Sequence, residues 1–160
     1  MRPEKERELE KILQSLISDP RIIRMKDFTQ HGNTTTFDHC VNVARTSYRI
    51  NHALHLHADD KDLILTALLH DYFLYDWHDH SHPLHGYTHA DTAADNAVRD
   101  FPLDTEEEKA IRSHMWPPNI SRIPSSRIAW IISAADKICS AKETLSGRHS
   151  GMGLKTTDGK

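Results

Sequence analysis

The stretch LILTALLHDYFLYDW, residues 63–77, is the most apolar segment of the 160-residue chain. It is long enough for about four helical turns and contains neither proline nor glycine. Because apolar side chains surround nearly its whole axis, we predict a central helix that is buried on all sides. His70 and Asp71 lie in the middle of this predicted helix. An ionised carboxylate is unfavourable there unless it is paired, hydrogen-bonded or bound to a metal.

The stretch alone leaves two interpretations of this His-Asp pair open. The pair can be an ordinary buried pair, with the carboxylate satisfied by an arginine or by a backbone amide. Alternatively, both side chains can be metal ligands, since histidine is the commonest metal ligand in proteins. The chain contains 13 histidines, six of them from His70 to His89, which favours a search for further ligands.

Composition and charge restrict the class of protein. A chain of 160 residues with a net charge of -3 and no block of Lys or Arg indicates one domain. Nucleic acid is not favoured as its partner, whereas a small phosphorylated substrate needs only a few cations. The two cysteines, Cys40 and Cys139, lack CxxC spacing, the N-terminus is too charged for a signal peptide, and no apolar run reaches the length of a membrane span. We therefore expect a cytoplasmic protein that does not enter the membrane.

Start and stop signals predict that the rest of the chain is also helical. The predicted helices cover about residues 3–17, 20–28, 36–56, 60–77, 87–101, 105–116 and 126–147. Thr105 with Glu108 reads as a capping box, and Thr35 or Thr36 and Asp59 or Asp60 read as N-caps. No alternating strand pattern is visible, so the predicted fold is all-α, with about seven helices around the buried one. Residues 1–146 form the predicted domain, and the glycine-rich residues 147–160 are predicted to be a flexible tail.

Ligand-type residues occur next to the apolar stripes of several predicted helices. Asp136, for example, lies one helical turn from both Ile132 and Cys139 on the last helix. The full set is His39, His70, Asp71, His89, His114 and Asp136. Its nitrogen and oxygen donors suit Mn, Fe, Ni or Zn, whereas an all-oxygen site would suit Mg or Ca.

This set resembles the signature of the HD superfamily of metal-dependent phosphohydrolases, which places H, then HD, then D on helices of an all-α domain. The matching positions are His39 in TTFDHCVNVA, His70-Asp71 in ALLHDYFLYDW and Asp136 in ISAADKI. Members with two metals carry two further histidines between the HD pair and the last Asp. His89 in HGYTHADTAADNA and His114 in IRSHMWPP stand at those positions, and the resemblance covers roughly residues 30 to 142.

The resemblance implies one or two divalent transition metal ions at a catalytic centre that contains His70 and Asp71. One metal would be held by His39, His70, Asp71 and Asp136, and a second by Asp71, His89 and His114, with Asp71 as the bridge. A water shared by two such ions becomes a hydroxide nucleophile near neutral pH, so we expect hydrolysis of a nucleotide or another phosphate ester. His85 remains an alternative to His89, and His114 can instead be a histidine at the negative end of a helix dipole.

Two other functions share this ligand set. Some HD-type proteins hold two irons in the same layout and act as oxygenases, and a sensor can keep the metal yet only bind a nucleotide. Iron content with oxygen consumption, or tight nucleotide binding without turnover, would identify them.

Several residues near the predicted ligands are candidates for secondary roles. Lys137, Arg122 and Arg127 are candidate phosphate contacts, each with an ordinary surface role as the alternative. Tyr75, Asp76 and Trp77 are expected to shape the pocket wall. The histidines at 78, 80 and 82 are expected to form a solvated loop.

Overall fold

The computed structural model describes residues 1–31, 34–75 and 85–151, with the side chains of 30–31, 85–87 and 146–151 left out. The helices are α1 (Pro3–Ile17), α2 (Pro20–Ile23), α3 (Thr36–Ala53), α4 (Asp60–Leu69), α5 (His85–Asp100), α6 (Thr105–Ser113) and α7 (Arg127–Gly151). A 3-10 turn, Arg24–Asp27, follows α2. A two-stranded antiparallel hairpin of β1 (Thr29–His31) and β2 (Thr34–Thr35) precedes α3. The predicted all-α fold is confirmed, and the short hairpin is an addition that the residue pattern did not reveal.

Helix α4 is the centre of the molecule. Its N-cap is Asp59, whose side chain accepts hydrogen bonds from the backbone N–H groups of Lys61 and Asp62. Its fully buried apolar side chains are Leu63, Ile64, Ala67, Leu68 and Leu69. Helix α3 packs against α4 and α7, and α6 packs against α4, α5 and α7. The prediction of a central helix buried on all sides is therefore confirmed.

The C-terminal end of this helix differs from the prediction. Helix α4 ends at Leu69, so His70 and Asp71 occupy the turn after the helix rather than its middle. The backbone carbonyls of Tyr72 and Phe73 accept hydrogen bonds from the side-chain amide of Asn96 on α5, at 3.1 Å each. Leu74 has a φ of 55°, which no residue of a right-handed helix adopts. The prediction of four helical turns through residue 77 is wrong, because α4 ends at Leu69 and the carbonyls of Tyr72 and Phe73 beyond it bind Asn96 of α5.

The N-cap of α6 lies one residue before its predicted position, although the helix itself begins at Thr105. The capping box is formed by Asp104 and Glu107, not by Thr105 and Glu108. The Asp104 side chain accepts from the N–H groups of Glu106 and Glu107, at 2.7 and 2.8 Å. Glu107 Oε2 in turn accepts from the Asp104 N–H at 2.8 Å. Glu107 is buried and contacts Thr66 of α4, so packing against α4 decides which of the two possible boxes forms.

Two segments that the sequence analysis predicted, the C-terminal tail and the histidine-rich loop, lie mostly outside the described residues. The predicted tail, 147–160, overlaps the description only in the backbone of residues 147–151, which belongs to α7. The histidines at 78, 80 and 82, together with Asp76 and Trp77, lie outside it. Within the described ranges, no helix combines the length and the apolar composition that crossing a membrane requires.

Candidate metal centre

The structure brings the six predicted ligand residues together at the centre of the helix bundle. His39 lies near the start of α3, His70 and Asp71 directly follow α4, and His89 lies near the start of α5. His114 is the C-cap residue of α6, and Asp136 lies within α7. All six side chains are buried. Five helices that are distant in sequence therefore contribute polar side chains to one small volume.

Asp71 lies between two groups of these side chains. Its Oδ2 atom is 3.4 Å from His70 Nε2 and 3.8 Å from His39 Nε2. Its Oδ1 atom is 3.5 Å from both His89 Nε2 and His114 Nε2. Each carboxylate oxygen thus faces its own pair of imidazole nitrogens, which is the arrangement that a bridging carboxylate requires.

Two of the distances within these groups match the coordination sphere of a transition metal ion, and a third is longer. His39 Nε2 lies 3.2 Å and His70 Nε2 lies 3.9 Å from Asp136 Oδ1. His89 Nε2 lies 3.1 Å from His114 Nε2. Two ligand atoms that are each about 2.1 Å from one ion are roughly 3.0–3.4 Å apart. Two triplets, one of His39, His70 and Asp136 and one of His70, Asp71 and His114, each keep their ligand atoms within 4.8 Å of one another.

Hydrogen bonds outside the cluster fix the direction of the imidazole rings. The Nδ1–H group of His70 donates to the Ala67 carbonyl, and that of His114 donates to the Ile111 carbonyl, both at 2.8 Å. The lone pair of each ring therefore lies on Nε2, which points into the cluster. Within the described part of the chain, the buried Nε2 of His70 has no hydrogen-bond partner. A buried acceptor of this kind suits a cation, because leaving it unsatisfied is unfavourable.

Mutual electrostatic effects set the protonation states of the cluster. Burial alone would raise the pKa of Asp71, but the surrounding imidazoles, led by His70, lower it below its usual range. Burial likewise opposes ionisation of Asp136, yet the hydrogen bond from His39 and the nearby imidazoles lower its pKa well below the usual value. Burial lowers the pKa of His70, and it lowers that of His114 to about 3. At neutral pH the carboxylates are ionised and these two histidines are neutral, which is the state that metal ligation needs.

His39 has a further partner that the sequence did not suggest. Its Nδ1 atom lies 2.9 Å from the Oε2 atom of Glu143, two helical turns after Asp136 on α7. Burial lowers the pKa of His39, but hydrogen bonds to Asp136 and Glu143 outweigh this effect and raise the pKa to about 10. Asp136, Ser140 and Glu143 share one face of α7, but this spacing alone does not indicate a contact with His39 on α3.

Comparison with known protein families matches residues 36–141 to the family described as HD domain. The chain belongs to the HD-domain family. Comparisons with curated proteins and with solved structures found no match. Members of the HD superfamily are mostly metal-dependent hydrolases, and HD domains bind divalent metals. The His/Asp cluster of this HD domain fits such a metal site.

The basic residues predicted near the site of this HD domain have different surroundings. Lys137 Nζ donates to Asp136 Oδ2 at 2.7 Å and to the His114 carbonyl at 3.0 Å, so it lies at the edge of the cluster. Arg122 forms a bidentate ion pair with Asp91, two residues after His89. Arg127 donates to the carbonyls of Leu56 and His57. Both arginines thus have intramolecular partners, and neither of these contacts is with a predicted ligand residue.

The choice between His85 and His89 depends on α5. His85 is the first residue of this helix, and its side chain lies outside the description. His89 is one turn further on, with its Nε2 atom close to Asp71 and His114. Buried alanines on α5, namely Ala90, Ala93, Ala94 and Ala97, allow the close helix packing that places His89 there.

Proposed function

We propose that this HD domain is a metal-dependent phosphohydrolase that acts on a nucleotide or on another phosphate ester. The observation that carries the proposal is the position of Asp71, whose two oxygens face two separate pairs of imidazole nitrogens. His39, His70, Asp71 and Asp136 would hold one divalent ion, and Asp71, His89 and His114 would hold a second. Such ions supply an activated water and neutralise phosphoryl oxygens.

The protein side chains have defined tasks in this reaction. The carbonyls of Ala67 and Ile111 orient His70 and His114, so these ligands need not reorganise during turnover. The ionised carboxylate of Asp71 would offset part of the positive charge of the ions held by the two groups of side chains on either side of it. Its burial keeps bulk water away from the cluster, which strengthens every electrostatic interaction there.

Lys137 is the best candidate for a contact with the substrate phosphate. Its side chain is about one third exposed, and two of the three N–H groups that a lysine offers are used by the partners described above. The third can reach a phosphate oxygen at the edge of the metal centre. Arg122 and Arg127 are less suited to this role, because they bind Asp91 and the carbonyls of Leu56 and His57 rather than residues of the metal centre.

The test is phosphate release from a panel of nucleoside mono-, di- and triphosphates and simple phosphate esters in the presence of Mn²⁺. The variant Asp71→Ala should lose activity by roughly 100-fold or more, because the shared ligand is removed. The variant Asp62→Ala is a matched control, since it removes an exposed carboxylate from the same segment of the chain. It should keep the activity of the wild-type protein.

Two results would contradict the proposal. Phosphate release that is unchanged in folded Asp71→Ala protein would show that the reaction occurs elsewhere. Iron-dependent oxygen consumption without phosphate release would show that the centre is an oxygenase.

A further inference from the structure

Glu143 is connected to the metal centre through His39. Its side chain is largely buried, with 11% of its surface exposed, and its Oε2 atom lies 2.9 Å from His39 Nδ1. The other carboxylate oxygen, Oε1, accepts a hydrogen bond of 3.3 Å from the side-chain amide of Asn42. His39 and Asn42 lie one turn apart on α3, so the carboxylate of Glu143 links α7 to one face of α3. Both oxygens of Glu143 therefore have a defined direction.

This hydrogen bond decides which nitrogen of His39 can bind a metal. A carboxylate accepts hydrogen bonds, so the proton of the ring lies on Nδ1, facing Glu143. When the ring gives up its second proton to bind a metal, the Nε2 atom, 3.2 Å from Asp136 Oδ1, carries the lone pair directed at the centre. A carboxylate partner also makes the imidazole a stronger ligand than a neutral partner does.

The contrast with the neighbouring histidines supports a separate role for Glu143. His70 and His114 donate their Nδ1–H groups to backbone carbonyls of their own chain segments. His39 instead depends on a side chain from a different helix, two turns beyond Asp136. A single residue of α7 thereby controls a ligand on α3, while Asp136 of the same helix supplies a ligand itself.

We propose that Glu143 is a positioning residue that holds His39 in the tautomer needed for metal binding and raises its affinity for the metal. Asn42 fixes the second oxygen of the carboxylate. The inference rests on the proposed function only in assuming a metal at this centre. It does not depend on which substrate is hydrolysed.

The experiment measures Mn²⁺ affinity by calorimetry for the wild-type protein, Glu143→Ala, Glu143→Gln and the control Glu4→Gln. Glu143→Ala should bind Mn²⁺ about 10–100-fold more weakly, because the partner of His39 is lost. Glu143→Gln retains an acceptor oxygen without the charge and should lie between Glu143→Ala and the wild type. Glu4→Gln removes an exposed carboxylate from α1 and should leave the affinity unchanged.

A second measurement separates positioning from a general effect on the fold. Nitrogen-15 spectra of the zinc-loaded protein should show a zinc-bound Nε2 and a hydrogen-bonded Nδ1–H of His39 in the wild type and in Glu143→Gln, and loss of this hydrogen-bonded Nδ1–H signal in Glu143→Ala. Wild-type metal affinity and an unchanged His39 spectrum in Glu143→Ala would overturn the inference. If Glu143→Ala does not fold, Glu143→Gln decides, and wild-type affinity there would overturn the role of the charge. Because affinity and tautomer are measured without substrate, the inference can hold even where phosphate release is absent.

Discussion

The imidazole of His39 lies between the carboxylates of Asp136 and Glu143, which favour its doubly protonated form. The proton on Nε2 therefore competes with a metal ion for that nitrogen. Asp136 and Glu143 raise the pKa of His39 to about 10 although burial acts against this. In the protein without metal, His39 is therefore an imidazolium at neutral pH. A divalent ion bound by His39 would replace the proton on Nε2, the nitrogen that lies beside Asp136.

A stability prediction for the metal-free protein follows from this pKa. In the unfolded chain His39 has a pKa near 6.5, so between about pH 6.5 and pH 10 the folded state binds a proton that the unfolded state has released. The contribution of His39 to stability is fully present below pH 6.5 and is lost as pH rises through 10. Urea unfolding in EDTA at pH 7, 8, 9 and 10 should show this loss. It should be smaller in His39→Gln, and an identical pH profile in both proteins would contradict the prediction.

Among single residues, the sequence analysis identified the charged side chains that stand within apolar helical patterns. Asp71 and Asp136 are acids among apolar side chains, and such residues are conspicuous in a helical pattern. Glu143 follows Lys142 and precedes Thr144 near the end of α7, where polar residues are ordinary. Its function depends on the contact between α3 and α7, which local sequence does not encode. The six-residue set was accordingly predictable, whereas the partner of His39 was not.

Helix α6 gives a test at the level of a single element. The capping box of Asp104 and Glu107 predicts that Asp104→Ala destabilises the protein by about 1 kcal/mol, because N–H groups at the start of the helix lose their acceptor. Thr105→Ala is the matched control, since Thr105 is exposed and follows the N-cap. It should change stability by less than about 0.5 kcal/mol. Urea unfolding measures the stability of both variants. A larger loss of stability in Thr105→Ala than in Asp104→Ala would show that Thr105 is the N-cap, as the sequence predicted.

The sequence contains two possible capping boxes at this point, which explains why the N-cap of α6 was misplaced by one residue. Asp104 with Glu107 and Thr105 with Glu108 have the same spacing and comparable capping side chains. Burial of Glu107 against Thr66 of α4 selects the first box. The end of α4 was also misjudged, and there Asn96 of α5 binds the carbonyls of Tyr72 and Phe73 beyond the helix. In both cases a tertiary contact accompanies the departure from the local signal.

For the whole molecule, the metal centre is the point at which the helices meet. Helices α3, α5, α6 and α7 and the turn after α4 each supply at least one of the six side chains. Without a cation, two buried carboxylates and several imidazoles share this space, and their charges are balanced by protons and by Lys137 beside Asp136. We expect a bound ion to stabilise the packing of the bundle as well as to prepare the site for chemistry.

The expected size of this stabilisation follows from linkage between binding and folding. At a free Mn²⁺ concentration about 100 times its Kd, binding to the native state alone adds about 2.7 kcal/mol to the free energy of unfolding. For a chain of this size, that raises Tm by roughly 5–10 °C. Thermal unfolding after dialysis against EDTA, followed by addition of Mn²⁺, measures the effect. Mg²⁺ at the same concentration should give a smaller increase, because histidine nitrogens are poor ligands for it.

Two variants show whether the increase comes from the proposed centre. Asp71→Ala should lose most of the Mn²⁺-dependent rise in Tm, because it removes the carboxylate that lies between both groups of ligands. Asp62→Ala should keep the whole rise, since its carboxylate is exposed and outside the cluster. An equal rise in both variants would place the bound ion elsewhere, with the histidines at 78, 80 and 82 as the next segment to test. The metal centre would then not be the feature that couples ion binding to the stability of the bundle.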